Sequence, residues 1–397
     1  MKTEDIERYR AETPGVGHRI HLNNAGAALM PAPVLAAAQA HLQLEAEIGG
    51  YEAAAQQRAE ARRFYGAVGQ LLNVPAQRVA WSGSATQAYN TALSALPWEK
   101  GDVLVTTADD YVSNQIAFLQ LGRRYGVKVL RAGRLPGGGV DPAQVEELAS
   151  KHKAKAVAVT HVPTNSGLVQ DVVAVGQVCR ALGVWYLVDA CQSVGQMPVD
   201  AEEIGCDFLS ATFRKFLRGP RGAGFLCVSG RALEAGLEPL FMDLHSASWE
   251  AADEYAARSS AARFETWERP HALVLAAACA AEYALAVGLE AIQQRCGELA
   301  SRLRHELSSW PGVKVLDEGP SPCAIVTVAL PNVAPGQIIP GLNQQGVNAS
   351  VSYRSGAVID FERKGVEWAL RLSPHYYNTE AELYRALEVL KGLIEKG

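Results

Sequence analysis

Trp185-Tyr186-Leu187-Val188-Asp189-Ala190-Cys191-Gln192-Ser193-Val194 is an apolar run that ends on a carboxylate. Four uncharged residues lead straight into Asp189, so the run reads as a buried strand with the acid at its carboxyl end. In an open α/β sheet that end is where ligands bind. A carboxylate there can pair with a protonated ring nitrogen, although taken alone it could equally cap the next helix. Outward from this run, comparable short apolar segments stand at residues 102–106, 128–131, 156–160, 208–210 and 223–228. Helical patterns at 114–124, 142–151 and 172–182 separate them. That alternation predicts an α/β fold, a mostly parallel central sheet with helices on both faces.

After Pro270 the pattern changes. Helices are expected at 271–287 and 289–310, apolar strands at 313–316 and 324–329, a glycine-containing segment around Gly346 and a closing helix at 380–396. These form a smaller α+β C-terminal domain, with the boundary near residues 260–290. The 397 residues carry a formal net charge of −5, which gives no reason to expect nucleic acid or an anionic membrane as partner. Residues 1–10 are polar, so no signal peptide is expected, and the apolar stretch 271–289, interrupted by Glu282, reads as a buried helix. The seven cysteines are scattered, with no CxxC spacing. They predict reduced core thiols in a cytoplasmic protein, and no metal site.

Two further segments carry chemistry. In Ser210-Ala211-Thr212-Phe213-Arg214-Lys215-Phe216-Leu217-Arg218-Gly219-Pro220-Arg221-Gly222, a lysine stands between two expected core strands. A buried lysine is what Schiff-base chemistry requires, and Thr212 and Arg214 beside it suit a phosphate. In Trp81-Ser82-Gly83-Ser84-Ala85-Thr86, small residues after a short strand open a helix. The unpaired N–H groups of such a helix start bind phosphate readily.

Added to these are Asp110-Tyr111-Val112-Ser113-Asn114, a start reading His21-Leu22-Asn23-Asn24-Ala25-Gly26, and an end reading Arg371-Leu372-Ser373-Pro374-His375-Tyr376-Tyr377. In this order the segments resemble the class V aminotransferase and cysteine desulfurase family of pyridoxal 5'-phosphate (PLP) enzymes. The resemblance covers essentially the whole chain. It implies the fold type I PLP-dependent transferase architecture, with an N-terminal segment (1–20) near the small domain, a large PLP-binding domain (21–270) and a small domain (271–397). It also implies that Lys215 holds the cofactor as a Schiff base and shuttles the α-proton. Asp189 would pair with the pyridine nitrogen and Gln192 would hydrogen-bond the phenolic oxygen. Ser84, Ala85, Thr86, Thr212 and Arg214 would hold the phosphate, and Tyr111, where most relatives have His, would stack on the ring. Thr164 stands where relatives carry an Asn near cofactor and substrate, with Asn165 as its possible substitute. Arg371 would clamp the α-carboxylate of a small amino-acid substrate, with Asn24, Arg354 and Trp267 as further substrate contacts.

The chain departs from desulfurases in one respect. Those enzymes place a nucleophilic cysteine a few residues after the arginine matched by Arg354, whereas residues 353–360 here contain none, and no cysteine follows Cys323. Residues 214–222 and 262–268 look like ergothioneine-pathway C–S lyases (hercynylcysteine sulfoxide lyase-like) and isopenicillin N epimerase-like proteins. The reaction implied is β-elimination from an S-substituted cysteine or its sulfoxide, with epimerase, aminotransferase and cystine lyase as alternatives. The family's two-fold architecture implies a homodimer.

Overall fold

The computed structural model describes residues 1–331 and 333–395. Its centre is a seven-stranded sheet in the spatial order Val79–Ser82, Gly224–Val228, Phe208–Thr212, Trp185–Asp189, Ala156–Thr160, Val103–Thr106 and Lys128–Arg131. Every strand runs parallel to its neighbours except Gly224–Val228, which is antiparallel to both of its own. The inner strands are buried at almost every position, as helices on both faces demand. Lys128–Arg131 forms one edge, where exposed Lys128 and Arg131 disfavour pairing with another chain.

The covering helices have chemical starts and stops. Helix Ala85–Ser94 is capped by the Ser84 hydroxyl, which accepts from the Gln87 N–H at 3.1 Å. Helix Val172–Leu182 starts on Asp171 and stops at Gly183, whose φ of 68° is the left-handed turn glycine tolerates. Among the described residues no single helix is long and apolar enough to cross a membrane.

The smaller domain has a four-stranded antiparallel sheet ordered Lys314–Val315, Val326–Ala329, Trp368–Leu372, Ser350–Tyr353. Its closing helix, Glu380–Ile394, begins with reciprocal bonds between Thr379 and Glu382. Lys396, the expected last residue of that helix, lies outside the described residues.

The division between domains differs from the expectation of 270/271. Helix His271–Val287 packs on helices Ala32–Ile48 and Arg58–Leu72, and its Val274, Ala277 and Ala281 belong to the large domain's core. Its alanines mark close helix packing, and the change of composition there is no boundary. Helix Leu289–Ser308 is shared, with Ile292 and Cys296 in the large core and Leu299, Leu303 and Leu307 in the small one. The N-terminal segment bridges both. Tyr9 packs on Tyr283 and Tyr376, while Ile20–His21 pairs with Val347–Asn348 of the small domain. A hairpin, Ala247–Ala251 with Glu254–Ala257, was not expected from the sequence.

Arg218 ties the two ends of the chain together. It is 1% exposed and adopts a left-handed φ of 57°. Its guanidinium donates to the Leu29 carbonyl (2.9 Å), the Tyr376 hydroxyl (2.6 Å) and Thr13 Oγ1 (2.5 Å). It also lies 4.4 Å from the Tyr377 ring centroid and 5.1 Å from that of Tyr376.

Candidate active site

Three neighbouring parallel strands end on Thr160, Asp189 and Thr212, and register places Gly224 between Ser82 on one side and Thr212 on the other. The carboxyl ends therefore share one edge of the sheet, and a pocket opens there. It gathers Lys215 with the nine other residues expected at the cofactor: Ser84, Ala85, Thr86, Tyr111, Thr164, Asp189, Gln192, Thr212 and Arg214. A larger cavity of about 540 Å³ between the two domains contains none of them.

Lys215 follows strand Phe208–Thr212 in a tight turn closed by the Gly219 N–H on the Phe213 carbonyl (2.8 Å). It is 7% exposed, and its Nζ lies 5.9 Å from the Tyr111 ring centroid. Burial pushes its amine below the ordinary lysine range; Arg214 and Arg371 add to this, while Asp189 opposes it. Asp189 is fixed from two sides, by Asn114 Nδ2 at 2.9 Å and the Cys191 N–H at 3.0 Å. Cys191 itself lines the pocket, and burial raises its thiol well above the ordinary range, Asp189 adding to the effect. It stays protonated at neutral pH.

At the other end of the pocket the start of helix Ala85–Ser94 approaches Gly224 closely. A Cβ at position 224 would sit 2.8 Å from the Ala85 nitrogen, so glycine is what lets this helix start press against the sheet. Thr212 and Arg214 flank it. Tyr111 is held by its N–H on Thr160 Oγ1 (3.1 Å), and the preceding Asp110 accepts from the Thr160 N–H (2.6 Å). Burial raises the Asp110 carboxyl to about 6 against the opposing effect of its donors on Thr106, Thr107 and Thr160.

Beside the pocket lies Arg371. Its Nη1 donates to the Thr164 carbonyl (3.0 Å) and Oγ1 (2.7 Å), and Nη2 to Asn23 Oδ1 (3.3 Å). Its Nε is buried without a partner, and among the described residues its bonds go to Thr164 and Asn23 and to no carboxylate. Burial, with Arg214 nearby, pushes it down to about 10, so it is still charged at neutral pH. A buried guanidinium with no acid is poised to take one from a ligand. Thr164 Oγ1 accepts from both Arg371 and Gln192 Nε2 (2.9 Å), which leaves its own hydrogen to donate.

Some expectations are corrected. Gln192, expected to hydrogen-bond the phenolic oxygen, lines the pocket with its Nε2 on Ala25 O and Thr164 Oγ1 and its buried Oε1 without a partner. Asn24 is wholly buried and spent on Ser373 O, His21 O and the Tyr377 hydroxyl; its neighbour Asn23 is the one that reaches Arg371. Asn165 points away, to Asp360. Arg354 pairs with Glu362, and half-exposed Trp267 lies outside the pocket. Asn114, Asn23 and Cys191 also belong to the site, although no motif role singles them out in the sequence. Asn114 stood three residues after Tyr111 on one helical face, a spacing that could have found it.

The donor set fits pyridoxal 5'-phosphate. Lys215 offers an amine of lowered basicity for its aldehyde carbon, and Asp189 a fixed carboxylate for its ring nitrogen. The Ser84–Thr86 N–H groups with Thr212 and Arg214 suit its phosphate, and the orphaned Gln192 Oε1 and the Thr164 hydroxyl await partners.

The comparisons agree in extent. The sequence profile of the family Aminotransferase class-V matches residues 20–385. A probable cysteine desulfurase of Methanothermobacter thermautotrophicus is 27% identical, over 100% of this chain and 99% of its own. A probable hercynylcysteine sulfoxide lyase of Mycobacterium tuberculosis is 29% identical, over 97% and 92% respectively. Among solved structures, the cysteine desulfurase CsdA of Escherichia coli superposes with a TM-score of 0.90 at 20% identity, over 98% of each chain. A variant of C-DES with glycine covalently linked to its PLP cofactor gives 0.85 at 20% identity, over 97% and 99%.

Proposed function

Because the chain belongs to the class V aminotransferase family and uses pyridoxal phosphate, we propose that it is a C–S lyase eliminating a sulfur group from Cβ of an S-substituted cysteine or its sulfoxide. One observation carries the choice of reaction. The segment that follows Arg354 folds as helix Val358–Lys364 and holds no cysteine, so no thiolate is available there to accept sulfur. Cys191, the thiol in the pocket, is kept protonated and does not replace it. The likeness to a probable hercynylcysteine sulfoxide lyase supports the same reading.

The bound cofactor supplies an electron sink for the carbanion at Cα. The chain's own groups do the rest. Arg371 binds the substrate carboxylate and so orients the Cα–H bond. Lys215, uncharged more readily because it is buried, takes the α-proton on Nζ. Asp189, held by Asn114 and the Cys191 N–H, keeps a proton on the ring nitrogen. The pocket's burial excludes water from the proton as it moves. In balance, an S-substituted cysteine and water give the thiol, pyruvate and ammonia; a sulfoxide gives a sulfenic acid in place of the thiol.

The test is a panel of S-substituted cysteines and their sulfoxides with the cofactor-loaded protein. Stoichiometric pyruvate and ammonia from at least one class is the expected result. Exchange of the α-proton with solvent deuterium but no pyruvate from any member would replace elimination with epimerisation.

The reading includes a homodimer. Leu240, Phe241, Leu244, Trp249 and Tyr255 are each at least 60% exposed around the hairpin, an apolar surface of the kind that marks an interface. Light scattering is expected to give twice the chain mass of 42.5 kDa. A mass of one chain at full cofactor loading would refute it.

A further inference from the structure

Asn165, expected at the substrate, instead spans the two domains. Its Nδ2 donates to Asp360 Oδ2 at 2.8 Å, and both side chains are buried, at 4% and 1% exposed. Asp360 sits on helix Val358–Lys364, where Arg363 (2.7 Å) and Lys364 (2.8 Å) neutralise it. Arg363 continues to Glu318 (2.7 Å), and Glu318 to Arg134, which reaches Asp109 beside the Tyr111 loop. A buried carboxylate so fully supplied with donors holds its partners in one arrangement.

The consequence lies one peptide away. The Thr164–Asn165 peptide contributes the Thr164 carbonyl, which accepts from Arg371 Nη1 at 3.0 Å. Thr164 Oγ1 accepts from the same nitrogen. With no acid to fix it, the direction of Arg371 is set by this residue and by the longer bond to Asn23. We propose that Asp360 is a positioning residue for the substrate carboxylate: by holding Asn165 it fixes the Thr164–Asn165 peptide that aims Arg371. The inference rests on the reading that Arg371 seats a carboxylate.

The experiment titrates the visible absorbance of cofactor-loaded protein with L-alanine and with ethylamine. The two differ only in the carboxylate, and neither carries a sulfur group to eliminate. In Asn165→Leu, which keeps the shape and loses the donor, the apparent Kd for L-alanine is expected to rise about tenfold. That for ethylamine should stay within about twofold. Asp360→Ala should behave in the same way, and Asp360→Asn, which restores an acceptor oxygen, should recover most of the lost affinity. Should Asn165→Leu fail to fold, Asn165→Ser serves in its place, and the thermal midpoint reports folding for each. Unchanged L-alanine binding, or equal losses for both ligands, overturns the inference while leaving the carboxylate seat intact. A wild-type protein that binds L-alanine no better than ethylamine overturns the seat itself, and the inference with it.

Discussion

Lys215→Ala is expected to abolish turnover, with a loss in kcat/KM of at least about 10³-fold. The size of the effect follows from two functions placed on one amine. Nζ lies in the pocket with Asp189 and Tyr111, and its burial lowers the cost of presenting it uncharged. Lys364, whose side chain is also largely covered, is engaged with Asp360 and cannot substitute. Borohydride reduction followed by peptide mapping provides the check independent of turnover. In the wild-type chain the cofactor should be fixed on the peptide containing Lys215, and in the variant on none. Lys215→Arg should not recover activity, since a guanidinium stays protonated and makes no Schiff base. Label on another lysine in the wild type would remove Lys215 from its place in the mechanism.

The second large effect concerns stability. Arg218→Ala is expected to destabilise the fold by about 3 kcal/mol, read as a shift of the urea midpoint. Removing the guanidinium takes charge-assisted donors from the Leu29 carbonyl, the Tyr376 hydroxyl and Thr13, and opens a void among tyrosine rings. The buried charge has its own desolvation cost, which is why the net loss is smaller than the sum of its contacts. Arg218→Met separates the contributions, because it fills the space and bonds nothing. Its midpoint should fall between those of wild type and Arg218→Ala. An alanine variant with the wild-type midpoint would show that these contacts add nothing to stability.

The local part of the site was legible in the sequence because local chemistry fixes it. A strand ending on Asp189, a lysine after the next strand and a helix opened by small residues each describe a few consecutive positions. The parallel sheet then carries those strand ends to one edge, since βαβ connections leave little choice. What was not legible depends on partners far away along the chain. Whether Asn23 or Asn24 faces Arg371 is decided by Ser373 and Tyr377, which claim Asn24 for themselves. Asn165 likewise turns away because Asp360, 195 residues later, meets it. Gln192 was legible as a polar group at the ring, but its donors were already taken by Ala25 and Thr164, which no spacing rule could reveal. Which domain the helix at 271–287 joins was not legible for a related reason. An alanine-rich helix looks the same in sequence whether it opens a new domain or packs tightly on the old one.

Arg218 stands three residues after Lys215 and is fastened to Thr13 on one side and Tyr376 on the other. Growing from its N-terminus, a nascent chain makes the lysine's turn long before it makes Tyr376, and the exit tunnel of the ribosome still encloses the newest residues. The strands of the large sheet can pair during synthesis, as domains generally fold in the order they emerge. The turn that carries Lys215 is therefore completed only after the segment bearing Tyr376, 158 residues beyond Arg218, has been made and has folded back against it.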